Sequence, residues 1–82
     1  MEKQILVKST VGLHARLAAK VVQAASKYEV DIELHYNDKI IDIKSILGLM
    51  SLAIPSGQNV KVVANGNDAE AAINEIAELL EN

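Results

Sequence analysis

The 82-residue chain contains no cysteine, no phenylalanine and no tryptophan, one proline and four glycines. Without cysteine it can form neither a disulfide nor a thiolate metal site. Tyr28 and Tyr36 are the only aromatics, so there is no row of rings on which single-stranded nucleic acid could stack. No apolar run approaches the ~20 residues that a bilayer helix requires; the longest, Ile46 to Ile54, is interrupted by Gly48 and Ser51. Met1-Glu2-Lys3-Gln4 leads straight into a strand-like pattern. No signal peptide is therefore expected, and a cytoplasmic location follows as the expectation. Repeats, low-complexity tracts and linkers are also missing.

What is present is an evenly mixed globular composition: 50% hydrophobic, 23% charged, mean hydropathy +0.16. That is too apolar for a disordered tail, and the length suits one domain over residues 1–82. The net charge is −3, unevenly spread. Residues 1–41 sum to +1 and residues 42–82 to −4, and between Lys3 and Tyr28 five basic residues occur with no acidic one. Such a cationic window suits a phosphate or an acidic protein partner. It is too small for strong duplex binding, which needs about 6–10 phosphate contacts.

Hydrophobic periodicity orders the chain as β-α-β-β-α-β-α. Gln4 to Lys8 reads as a strand with Ile5 and Val7 inward. From Ala15 to Tyr28 the residues Ala18, Val21, Val22 and Ala25 recur at helical spacing, with Arg16, Lys20 and Lys27 on another side. Val30, Ile32, Leu34 and Tyr36 alternate with Asp31, Glu33 and His35. Asn37-Asp38 is a tight-turn signal before a return strand carrying Ile41 and Ile43 inward. A short helix is predicted from Ser45 to Leu52, left by way of Pro55 and Gly57. Val60, Val62 and Ala64 mark a fourth strand. Asn67-x-x-Glu70 has capping-box spacing ahead of a last helix with Ala69, Ala72, Ile73, Ile76 and Leu80 on one face. Glu70, Glu75, Glu78 and Glu81 are expected to form its solvated side. The fold class expected is α+β: a four-stranded antiparallel sheet covered on one face by three helices.

Two segments could carry chemistry. Gly12-Leu13-His14-Ala15-Arg16 sits at the mouth of the first helix, where free backbone N–H groups and a partial positive charge attract anions. His14 is a competent nucleophile near neutral pH, and Arg16 can reach the same point with its planar fork. The set could stabilise a phosphoryl group on a ring nitrogen; the plainer reading is that His14 only caps the helix. The second segment is Lys44-Ser45-Ile46-Leu47-Gly48-Leu49-Met50-Ser51-Leu52. Ser45 is placed as an N-cap, and phosphorylating it would add charge at a helix start. Ile46, Leu47 and Met50 crowd too short a helix for all of them to point inward, so part of a partner surface is expected there; the plainer reading is an ordinary cap above an ordinary core helix. His35, alternating with Glu33 and Asp31, reads as a surface residue. No zinc spacing, Walker loop or nucleophile elbow is found; neither metal nor cofactor is expected.

Together the two segments resemble the HPr/Crh family, the histidine-containing phosphocarriers of the bacterial sugar phosphotransferase system. Gly12 to Arg16 is similar to that family's active-site motif, and Lys44 to Leu52 to its regulatory serine segment. The resemblance implies an open-faced β-sandwich with strand order 1-4-2-3. It also implies that His14 accepts a phosphoryl group on Nδ1 from phospho-enzyme I, steadied by Arg16, and passes it to enzyme IIA domains. The carrier would be no enzyme in itself. Ser45 would be the target of the HPr kinase/phosphorylase, and the seryl-phosphorylated form a corepressor with a catabolite control protein. Leu17, Lys20, Ile46, Leu47 and Met50 would face these partners; no direct nucleic-acid or membrane contact is implied. A Crh-like module acting mainly through Ser45 is the alternative, and His14 counts against it because that branch typically lacks this histidine. One residue departs from the pattern. The family usually reads His-Ala-Arg-Pro, and here Leu17 stands in place of Pro, restoring an N–H in the first helical turn. Replacing it by Pro is expected to cost no hydrogen bond.

Overall fold

A computed structural model describes all 82 residues. The elements run β1 (Glu2–Leu6), α1 (Ala15–Ser26), β2 (Asp31–Tyr36), β3 (Lys39–Asp42), α2 (Ile46–Leu52), β4 (Asn59–Asn65) and α3 (Ala69–Glu81). The strands form one antiparallel sheet in the order β1-β4-β2-β3.

Alternation sets the two faces of the sheet. Ile5 pairs with Val60, Leu34 with Val62 and Ile32 with Ala64, and all six are buried on the helix side. Their neighbours Gln4, Lys61 and His35 stand in register on the uncovered face. Here His35 Nε2 meets Glu33 Oε1 at 3.0 Å. The Asn37-Asp38 turn takes positive φ at both residues, 49° and 65°, which matches the right-handed twist of the hairpin strands.

Ala18, Val21 and Ala25 of α1 and Ala69, Ala72, Ile73, Ile76 and Leu80 of α3 enter a single cluster of 23 buried residues. The expected inner face of α1 needs adjustment. Leu17 and Ala24 are buried and Val22 is only half-buried, because α1 packs against both α2 and α3. Ile43 is fully buried, but Ile41 is partly covered at the edge strand. The capping box at α3 does not form: Asp68 is the N-cap, and no side chain satisfies that helix start.

Glu75 is only half-exposed on that solvated side. It accepts hydrogen bonds from the Tyr28 hydroxyl, at 2.7 Å, and from the Lys27 ammonium, clamping the end of α1 to α3. Its carboxyl is held below the usual carboxylate range, first by the Lys27 bond and then by the Tyr28 bond. The same bonds to Glu75 push the Lys27 ammonium and the Tyr28 hydroxyl upward. No helix is long and apolar enough to cross a membrane.

Candidate functional site

Residues 9–14 bring His14 to the start of α1 by a tight turn in which Gly12 N–H donates to Ser9 O at 3.1 Å. Gly12 has φ +75°, and a Cβ there would lie 2.4 Å from Ile54 O and 2.9 Å from Pro55 Cα. Only glycine allows this close approach of the loop to the exit of α2. Leu13 N–H then donates to Ile54 O at 2.9 Å. On the other side Lys8 N–H donates to Leu80 O at 3.0 Å, which carries the end of α3 to the same place.

His14 is the N-cap of α1, with extended backbone (φ −93°, ψ 175°), and its ring takes the role usually held by Ser, Thr, Asp or Asn. Its Nδ1 accepts from Leu17 N–H at 3.5 Å, a long and therefore weak hydrogen bond. That assigns the proton of the neutral ring to Nε2 and leaves the lone pair of Nδ1 facing the open helix start. The cap reading and the nucleophile reading of His14 thus concern the same lone pair. Around the half-buried ring lies a cleft of about 210 Å³ lined by Ser9, Arg16, Leu17, Lys20 and Asn82. Arg16 and Lys20 are exposed and form no ion pair; both cations stay available to an anion. A larger hollow of about 600 Å³, shaped by His35, Lys61 and the β2–β3 turn, shares no residue with this cleft.

Ser45 caps α2: its Oγ accepts from Gly48 N–H at 3.0 Å, and the residue remains exposed. Leu49 and Leu52 are buried, whereas Ile46, Leu47 and Met50 are 41%, 80% and 39% exposed. Since the loop before His14 rests on the exit of α2, this apolar patch and the cationic cleft belong to neighbouring elements.

The description "PTS HPr component phosphorylation site" matches residues 1–82. The chain belongs to the PTS-HPr family. HPr-C-His from Thermoanaerobacter tengcongensis superimposes with a TM-score of 0.93 at 43% identity, over 99% of this chain and 91% of that one. The phosphocarrier protein HPr from Bacillus anthracis str. Ames gives 0.93 at 38%, over 98% and 95%. Crh from Bacillus subtilis, the catabolite repression protein described as a swapped dimer, gives 0.78 at 37%, over 95% and 90%. The three helices and the 1-4-2-3 sheet are those of HPr structures, and membership supports a phosphocarrier role in the phosphotransferase system.

Leu17 differs from expectation in two ways. The residue is 8% exposed and belongs to the core, so only an edge of it reaches the cleft where partner contact was expected. Its N–H is engaged by His14 Nδ1, so proline at this position would remove a hydrogen bond after all. Ser9, Asn82 and Ile54 were not singled out from sequence. Their roles arise from contacts between residues far apart in the chain, for which no local pattern exists.

Proposed function

We propose that this HPr-family protein relays phosphoryl groups in sugar uptake. It accepts one on His14 Nδ1 from phospho-enzyme I, which draws on phosphoenolpyruvate, and hands it to enzyme IIA domains in the cytoplasm. The observation that carries this reading is the Nδ1 lone pair held at an open helix N-terminus beside the unpaired Arg16. The lone pair attacks phosphorus. The N–P bond forms as the bond to the donor's leaving atom breaks, and that atom keeps the electron pair. Free amides of the first turn and the Arg16 guanidinium offset the charge on the phosphoryl oxygens. The chain itself supplies no net turnover and acts as carrier.

Ser45 is the regulatory counterpart in this proposal, phosphorylated by HPr kinase/phosphorylase, and the modified protein acts with a catabolite control protein. Its exposure and its place beside Ile46, Leu47 and Met50 support this role. A Crh-like regulator is the second reading; the similarity to Crh favours it, and the available His14 lone pair favours the relay. Incubation with enzyme I and labelled phosphoenolpyruvate separates them. The relay requires acid-labile label that disappears in His14→Ala. Acid-stable label, or equal labelling of His14→Ala, overturns the assignment.

A further inference from the structure

The lone pair of His14 Nδ1 cannot cap α1 and hold phosphorus at the same time. In the free protein it is the acceptor for Leu17 N–H. Ala15, Arg16 and Leu17 lie in the first helical turn, where no intrahelical carbonyl is available to their amides. The first such bond runs from Ala18 N–H to His14 O, at 2.8 Å. Once Nδ1 is phosphorylated, the Leu17 amide loses its acceptor while a phosphoryl group with anionic oxygens arrives on the same atom. Leu17 cannot swing away with its amide, because the residue is buried in the core cluster.

We propose that the Leu17 N–H is a positioning donor that changes partner during the relay: it orients Nδ1 in the free protein and holds a phosphoryl oxygen in the phosphorylated one. This deepens the relay reading above and rests on it. A charge-assisted bond to the phosphoryl oxygen is stronger than the long bond to a neutral ring nitrogen. The exchange therefore draws the transfer equilibrium toward the carrier. A proline at this position offers no such donor, so the effect is tied to a backbone group that side-chain truncation leaves in place.

The test compares Leu17→Pro with Leu17→Val, which has similar volume and keeps the amide. In the free proteins, the ¹⁵N resonance of Nδ1 is expected to move in Leu17→Pro toward that of an unbonded imidazole nitrogen, relative to Leu17→Val and wild type. With phospho-enzyme I as donor, the equilibrium constant for transfer to Leu17→Pro is expected about fivefold below that for Leu17→Val. In wild type, the Leu17 amide proton is expected to shift downfield when His14 becomes phosphorylated; this measurement needs no variant to fold. Equal Nδ1 resonances, equal equilibria or an unmoved Leu17 amide proton each overturn the proposal while leaving the relay intact. Absence of acid-labile label in wild type overturns the relay and this exchange together.

Discussion

Leu13 N–H and Ile54 O, 41 positions apart in the chain, meet at 2.9 Å and join the loop that presents His14 to the exit of the helix capped by Ser45. The bond is possible because Gly12, with φ +75°, lets the two backbones touch.

Gly12→Ala is therefore expected to destabilise the protein by at least ~2 kcal/mol, from left-handed strain plus the forced opening of the contact with Ile54 O. Transfer from enzyme I should slow as well, since His14 moves with the loop. Denaturant unfolding together with a labelling rate checks both; unaltered values in each would show that the approach is dispensable.

The other side of that contact carries removable strain. Ala53, the C-cap of α2, adopts left-handed φ 50° and ψ 48°, a conformation that favours glycine. Ala53→Gly is expected to raise stability by ~0.5–1 kcal/mol and to leave the acid-labile labelling of His14 unchanged. A lower melting temperature would contradict this.

Leu17→Ala is expected to cost ~2–3 kcal/mol, because a buried side chain leaves a gap between α1 and its neighbours. A loss below 1 kcal/mol in urea unfolding would place the side chain in a docking surface instead of the core.

Ser45→Ala is expected to cost ~1 kcal/mol by unmaking the cap on Gly48 N–H, whereas Ser45→Asp should keep the cap and stay within ~0.5 kcal/mol of wild type. Ser45→Asp should nonetheless slow transfer from enzyme I, since its charge stands beside the exposed Ile46, Leu47 and Met50. A phosphate carries more charge, so the Asp effect is a lower bound. Equal transfer rates for Ser45→Asp and wild type would count against an electrostatic mechanism.

The clamp on Glu75 sets a pH dependence with a definite sign. Its carboxyl is lowered in the folded state by Lys27 and Tyr28. The stabilisation is present above the unfolded carboxylate range and is lost as pH falls through the lowered folded value. Glu75→Gln should thus be less stable than wild type at neutral pH, and the two unfolding curves should converge in acid. Curves that stay separated by a constant amount across that range would rule out this linkage.

Sequence by itself determined the elements and their inner faces wherever the pattern is dense. The helical recurrence of Ala69, Ala72, Ile73, Ile76 and Leu80 and the alternation of Ile32 and Leu34 both appear as burial in the structure. It also placed His14, Arg16 and Ser45 at helix starts, because caps are local. Tertiary structure alone decided which face of α1 is covered. Leu17 and Ala24 go inward because two helices flank α1, and periodicity cannot count neighbours. It alone brought Ser9 and Asn82 to His14 and tied Glu75 to Lys27 and Tyr28. These depend on groups distant in sequence, and a side chain reports only the environment that its own segment can build. The engagement of Leu17 N–H by Nδ1 falls between the two. Its participants are three residues apart, but its direction depends on how the Gly12 loop, held against Ile54, aims the ring.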